Sequence, residues 1–510
     1  MNHRLLFVNN FSNITRFTVS IIITFFMTPI YLSYLGNYLY GIWAVLQATI
    51  GYFDLMRFGM PVTVMKYVAE YSEERNSKEI SNIIINVFLF YFIVTIIIVP
   101  IFILLIAIGI PILKISLDYL KLVQYTVITL GISLLVRFYG SIFRQIINGN
   151  HLFYISNTVE ILFALLRAGT IFYFLKKGQG IIMMAMIILV SDLIMFCTYY
   201  LIGRLWYKFF NLKNAKISKE WFSKILKFGS KSFLTMLAGR VYSGSDSLII
   251  SYFYTPALVP FYTIPANLVY YCRSFFLTLT QSFIPLFSEL DAKKRKDNTI
   301  QIYFDYSRYI CLIYFPILIT INVFGGSFLN IWIGPEFSQK GETIIFFLSL
   351  SLFLTALQPL SERLLIGTAN QIILVKTGYM MAVIFLITGI PLTKIFGLKG
   401  LAFSFFISST IPNLLILKYT ISLLNISINQ YFINSILPPS IVSIIYLLSL
   451  VLLKVINYPN SYIGMISKTI IAYSILLIFS WWIVFKKNER NKIIEKAKIL
   501  FFKIIFVRYN

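Results

Sequence analysis

The sequence predicts an all-α, polytopic membrane protein of about 14 transmembrane helices, in two six-helix lobes plus two C-terminal helices. Three observations carry this reading. The 510-residue chain is 58% hydrophobic and 12% charged, against about 45–50% apolar and about 25% charged in a soluble domain. Its mean hydropathy is +0.82. Its apolar residues gather into runs of roughly 20 or more, the length a helix needs to cross hydrocarbon.

The runs follow in order. The first six fall at about 11–34, 38–61, 82–108, 119–146, 154–175 and 181–203. The first runs about 20 residues and reads as a retained anchor rather than a cleavable leader. The longest polar interruption, about 204–227, follows the sixth and reads as a cytoplasmic linker. Six more runs lie at about 228–253, 257–284, 304–332, 342–366, 372–393 and 400–424, and the last two at about 435–456 and 463–485. The expected domains are therefore an N-terminal lobe over 1–203, the linker 204–227, a C-terminal lobe over 228–425, and two additional spans over 426–485. Residues 486–510 alternate basic residues with Ile, Phe and Leu, the pattern of an amphipathic helix on the inner leaflet. Two six-helix halves joined by a cytoplasmic linker is a transporter layout.

Charge orients the spans. The net charge is +25, from 44 Lys+Arg against 19 Asp+Glu. In a soluble chain this would suggest nucleic acid; here the basic residues sit in alternate loops, so no nucleic-acid partner is expected. With both termini cytoplasmic, about 29 Lys/Arg fall inside and about 9 outside, as the positive-inside bias requires. The basic loops are Lys66 to Lys78, Arg204 to Lys231, and Lys293-Lys294-Arg295-Lys296. Membrane lipids, the anionic leaflet above all, are the partners such loops expect. No outer loop exceeds about a dozen residues, which leaves no room for an extracellular domain.

Nothing in the sequence reads as an active site. Cys197, Cys272 and Cys311 have neither metal nor disulfide spacing, and His3 and His151 are far apart. No phosphate-cradling loop or nucleophile motif is present. Neither catalytic residues nor a metal nor a cofactor is expected.

The informative residues are charges inside the spans: Arg57, Arg137, Arg167, Arg240, Arg273 and Arg308. An arginine in hydrocarbon costs at least about 2.5–3.5 kcal/mol, so it faces a wet interior or a partner. A cationic interior suggests an anionic ligand. The first span adds a stripe of Asn9, Asn13, Arg16, Ser20, Thr24 and Thr28, spaced 4, 3, 4, 4 and 4, which keeps them on one helix face. It reads as a cavity lining or a polar seam between helices. Asp54 and Arg57 share a face, as an internal ion pair or a tuned cavity charge. Arg240 lies about 18 Å into its span, where snorkelling is hardest. Asp246, further along, is the best candidate for a titrating acid, or else a salt-bridge partner. Arg273, beside Tyr270, Tyr271 and Cys272, reads as cavity lining. Arg137 and Arg308 read as snorkellers near the cytoplasmic face. Arg167 has Glu160 and Asp192 as candidate partners, and Glu362-Arg363 reads as an interfacial pair.

Several stretches resemble those of bacterial polysaccharide-export flippases. Leu35-Gly36 with Tyr40-Gly41-Ile42-Trp43 resembles their opening, and Asp54-Leu55 through Phe58-Gly59 into Lys66-Tyr67-Val68-Ala69-Glu70-Tyr71 is similar to their second-helix end and first inner loop. Asp246-Ser247-Leu248-Ile249-Ile250, Ile284-Pro285-Leu286-Phe287-Ser288, Leu329 through Phe337 and Gly397-Leu398-Lys399-Gly400-Leu401-Ala402 resemble later family segments. The resemblance covers most of the chain. It implies the multidrug/oligosaccharidyl-lipid/polysaccharide exporter superfamily, and within it an O-antigen (Wzx-type) flippase of undecaprenyl-diphosphate-linked oligosaccharides in a bacterial or archaeal cytoplasmic membrane. It implies alternating access, with polysaccharide polymerase and chain-length proteins as partners. The related lipid II flippases carry cavity basic residues on their first, second and eighth helices, which Arg16, Arg57 and Arg273 occupy here.

The expectation is that Arg16, Arg57, Arg240 and Arg273 converge on one cavity and hold the diphosphate, with Asp54 or Asp246 coupling to an ion. The rivals are a lipid II flippase, a multidrug exporter, whose cationic cargo would want an acidic cavity, and a membrane enzyme of polysaccharide assembly, which would want a large outer loop.

Overall fold

The computed structural model describes residues 3–73, 77–109, 114–206, 215–456, 461–491 and 494–495. Among them there are helices and turns and no strand. The expected linker at 204–227 and the expected amphipathic tail at 486–510 fall partly on 207–214, 492–493 and 496–510, which lie outside the described residues.

Helix α1 runs His3–Phe53 and contains the first two spans. They are joined without a loop, because Gly36 alone breaks the helical path with φ 68° and ψ 174°. A side chain at positive φ is strained and glycine is not. The same device recurs in a long helix of the second half, Ile372–Leu424, where Gly397 has φ 63° and ψ −143°. Both glycines lie in segments that carry the family resemblance, so those motifs are inter-span corners.

Between them run α2 (Met60–Glu73), α3 (Ser77–Leu104), α4 (Leu120–Gly149), α5 (Phe153–Lys176), α6 (Ile181–Trp206), α7 (Lys219–Gly244), α8 (Asp246–Phe253), α9 (Val259–Thr280), α10 (Phe283–Ala292), α11 (Lys296–Ile333), α12 (Pro335–Ala356) and α13 (Ser361–Gly367). The long helix with Gly397 is α14, followed by α15 (Ile428–Tyr431), α16 (Leu437–Ile456) and α17 (Tyr462–Ile483). Among the described residues, nine helices are long and apolar enough to cross a membrane, or 10 with the α12–α13 pair, which bends by 48°. When α1 and α14 count as two segments each, and α7–α8 and α9 are added, fourteen helical segments stand where the sequence placed fourteen spans.

Two elements differ from expectation. The first inner loop is largely the helix α2. Helix α7 begins at Lys219, inside the expected linker, because Ser218 caps it: its Oγ accepts from the Trp221 N–H at 3.1 Å. An N-cap hydroxyl satisfies one of the orphan donors of the first turn. The extra turns are polar, so apolar run length did not reveal them.

The chain divides into two compact units, Met1–Thr263 and Ile264–Asn510. The core of the first is built from residues such as Leu46, Ile84, Val87, Tyr91, Leu130, Leu134, Phe138 and Ile142. In the second, Val442, Tyr446 and Leu450 of α16 and Met465, Ala472 and Leu476 of α17 pack with Phe324 of α11. Many large apolar side chains stay exposed, among them Ile96, Ile103, Leu166, Ile387, Leu452 and Ile470. On a soluble protein such a surface would aggregate; in lipid it is the expected outer face.

Arg308 of α11 corrects a sequence expectation. It is not a snorkeller: its side chain is 3% exposed and pairs with Asp305 at 3.2 Å and Glu489 at 2.5 Å. Lys486 pairs with Asp305 at 3.0 Å, and Phe485 stacks on Tyr309 with centroids 5.7 Å apart. The start of the basic tail is thus held against α11. The sequence separation of 181 residues between Arg308 and Glu489 hid this contact.

Candidate functional site

The polar stripe of α1 does two jobs in succession. Near the start, Asn9 Nδ2 donates to the His151 carbonyl at 2.7 Å and Asn9 Oδ1 accepts from Tyr154 N–H at 3.1 Å. Asn13 Oδ1 accepts from Asn157 Nδ2 at 2.8 Å. These bonds sew α1 to the start of α5, as polar side chains do between helices in lipid. Further along, Arg16 and Ser20 line an open cavity. Thr24 and Thr28 return their hydroxyls to the carbonyls of Ser20 and Thr24, at 2.9 and 2.7 Å. Seam and cavity lining are both realised, on different turns.

The cavity measures about 300 Å³ and lies within the first unit, among α1, α4, α5 and α6. Five guanidiniums line it: Arg16, Arg57, Arg137, Arg144 and Arg167. So do the carboxylates Glu160 and Asp192. The charges form two clamps, each a single carboxylate gripping two arginines. Glu160 Oε2 meets Arg16 Nη1 at 2.8 Å while its Oε1 meets Arg144 Nη1 at 2.6 Å. Asp192 Oδ1 meets Arg167 Nη2 at 2.8 Å, and Oδ2 meets Arg137 Nε at 3.4 Å. Ser133 Oγ also donates to Asp192 Oδ2 at 2.5 Å.

Helix geometry explains the spacing. Arg137 and Arg144 are seven residues apart on α4, and Glu160 and Arg167 are seven apart on α5. Seven residues are about two turns, or about 10 Å of rise. The shared register sets one α4 arginine beside one α5 charge at each of two levels; α1 supplies Arg16 to the first clamp and α6 supplies Asp192 to the second.

Arg57 enters from a different direction. It ends the one-turn segment Asp54–Arg57 that follows α1. It pairs with Asp54 three residues earlier. The Nε atoms of Arg16, Arg57, Arg137 and Arg144 are buried with no hydrogen-bond partner. Five cations against Glu160, Asp192 and Asp54 leave a surplus of two positive charges with donors to spare. The guanidiniums are partly open to the cavity, and a wall lined by one sign of charge attracts the other, so it favours a ligand bearing about two negative charges.

A second cavity of about 370 Å³, also in the first unit, is lined by Gln47, Ile50, Gly51, Asp54, Leu55, Arg137, Met236, Arg240 and Ser243. Arg240 Nη2 donates to the Ala48 carbonyl at 2.8 Å. Its guanidinium lies over the Tyr52 ring, 5.3 Å from the centroid. The Tyr52 hydroxyl bonds to Ser245.

The structure thus brings Arg16 and Arg57 to one cavity and places Arg240 in the next. Arg273 is half-buried on α9 in the second unit, lines neither cavity, and forms no ion pair or hydrogen bond among the described residues. Asp54 lines the second cavity. Asp246 is 7% exposed, and its carboxylate accepts from the Ser247 N–H at 2.8 Å without an ion pair among the described residues. Arg167 takes Asp192, one of its two expected partners. Arg137 is a cavity residue rather than a snorkeller. Sequence reasoning missed Arg144, although it lies inside the run at about 119–146, close to its end. The i,i+7 repeat of Arg137 and Arg144 was the signal available. No group of three or more His, Cys, Asp or Glu with metal-ligand geometry occurs among the described residues.

Residues 7–291, more than half of the chain, match the family model described as polysaccharide biosynthesis protein. No curated protein matches the chain in sequence. Among solved structures, the chain is similar to a lipid II flippase MurJ in an inward closed conformation, with TM-score 0.68 and 18% identity over 93% of this chain and 98% of that one. It is also similar to an inward-facing multidrug resistance MATE family transporter of the MOP superfamily, with TM-score 0.66 and 13% identity over 81% of this chain and 98% of that one. An outward-facing multidrug resistance MATE family transporter matches with TM-score 0.58 and 13% identity, over 82% of this chain and 95% of that one. At these identities the likeness establishes the fold.

Proposed function

The chain belongs to the polysaccharide biosynthesis protein family, and on that premise we propose that it is a flippase moving undecaprenyl-diphosphate-linked oligosaccharides across the cytoplasmic membrane, by alternating access, for cell-surface polysaccharide. The observation that carries the proposal is the surplus of two guanidiniums on the first cavity. A lipid diphosphate has about two negative charges and cannot cross hydrocarbon unaided. Arginine suits it, since its planar fork presents several donors to phosphate oxygens. In the proposed mechanism Arg16, Arg57 and Arg144 take the diphosphate, the sugars occupy aqueous space, and the polyprenyl chain stays in lipid. Binding weakens the grip of Glu160 on its two arginines, and the differential affinity biases the protein between its states. Asp54 and Asp246 are the proposed coupling carboxylates, and Arg273 a proposed further cation of the second unit. Both termini are placed in the cytoplasm on the strength of the basic loops.

A lipid II flippase is the second reading. It rests on the likeness to a lipid II flippase, and lipid II offers the same diphosphate. A multidrug exporter of cations fits poorly with a wall of surplus arginine. The structural neighbours are transporters and a flippase, so no catalytic residue is proposed.

The test is translocation of a fluorescent polyprenyl-diphosphate saccharide in proteoliposomes. An Arg16→Ala, Arg144→Ala double variant, reconstituted in equal amount, should lose most activity. Each charge-assisted contact is worth about 1.5–3 kcal/mol, or roughly ten- to a hundredfold. Undiminished flipping would reject the proposal.

A further inference from the structure

Arg137 is the arginine common to both cavities. It is also the loosest member of its clamp. Asp192 is held by Arg167 at 2.8 Å and by Ser133 at 2.5 Å, whereas Arg137 approaches at 3.4 Å and its Nε makes no hydrogen bond. Withdrawing Arg137 leaves Asp192 with two good partners. A side chain in this position can leave its carboxylate at little cost.

Arg240 shows the complementary feature. One edge is fixed, by Nη2 on the Ala48 carbonyl and by the Tyr52 ring. Its Nε is buried without a partner. The guanidinium occupies space left by Gly51, where a Cβ would collide with Nη2. The carboxylate that shares its cavity, Asp54, is already engaged by Arg57, and the second Asp54 oxygen, Oδ1, is buried without a hydrogen bond. The second cavity is therefore lined by two guanidiniums, Arg137 and Arg240, against the single carboxylate of Asp54, which Arg57 already engages. Two guanidiniums on one wall match phosphate oxygens.

Resting on the reading of the first cavity given above, we propose that the second cavity is a separate binding site for the same class of ligand, a glycosyl or prenyl diphosphate, and that the two sites compete for Arg137. A guanidinium can turn its fork to one anion at a time. Filling one site therefore weakens the other, so two anions bind with negative cooperativity exerted through Arg137.

The experiment is equilibrium binding of farnesyl diphosphate to the full-length protein in detergent. The wild type should show two classes of site, the second weaker by about tenfold because Arg137 is shared. Arg240→Gln should remove one class and leave the affinity of the other. Gly51→Ala, which displaces Arg240 without removing its charge, should do the same. Arg137→Gln should weaken both classes and abolish their competition. A wild-type isotherm from Arg240→Gln and Gly51→Ala would overturn the second site while leaving the first untouched. Arg144→Gln separates the two ideas: it should remove the other class, and an unchanged isotherm there would overturn the first-cavity reading instead.

Discussion

The two units use the same ionic chemistry in different proportions. In the first, each of Glu160 and Asp192 faces two arginines, and the group opens on a cavity. In the second, Arg308 faces two carboxylates, Asp305 and Glu489, and is 3% exposed. The first arrangement is short of negative charge and has space for more. The second is balanced, since Lys486 also pairs with Asp305. An intramembrane arginine is thus a candidate ligand residue when carboxylates are fewer than arginines and a cavity adjoins it, and a rivet when neither holds. Arginine count alone, which is what a sequence offers, does not separate the two.

The comparison breaks first at its structural end. Arg308→Ala leaves Asp305 and Glu489 without their buried partner, and breaking a buried pair costs about 3–5 kcal/mol. Melting followed by size-exclusion chromatography should show a large loss of folded protein. A melting curve like the wild type would mean that the rivet holds nothing.

A smaller effect is expected at the clamp. Glu160→Gln raises the cationic surplus, so the protein should lose stability without ligand and recover it with pyrophosphate. Ligand at 100 times its dissociation constant restores about 2.7 kcal/mol. Absence of any recovery on titrating pyrophosphate would show that the clamp carboxylate is not standing in for a bound anion.

The least effect belongs to the outer turns of the α1 stripe. Thr24 and Thr28 hydroxyls bond only their own helix, a pattern with little net stabilising value. Thr24→Ala and Thr28→Ala should change stability by no more than about 0.5 kcal/mol and leave flipping intact. Loss of flipping would extend the site along the whole stripe.

Much of this was legible in the sequence. Run lengths located the fourteen segments, and the two corner glycines lie within motifs already visible. The spacing of Asn9, Asn13, Arg16 and Ser20 announced one polar face, and Arg167 had Asp192 among its candidate partners. What stayed hidden is what depends on neighbours distant in sequence. The bond from Arg144 to Glu160 and the bond from Arg308 to Glu489 each join separate helices, so neither residue could be sorted by its own span. The position of Arg137 on two cavities depends on α1, α5 and α7 together. The polar first turns of α7 escaped because apolar run length does not register them.

The central claim is that the surplus arginines of the first cavity hold a diphosphate. The most direct measurement is the affinity of farnesyl diphosphate for the wild type and for an Arg16→Gln, Arg144→Gln double variant, both full-length and matched for melting behaviour. Two charge-assisted contacts at about 1.5–3 kcal/mol each predict a loss of at least a hundredfold in the first-cavity class of sites. An affinity unchanged by the double substitution would contradict the account.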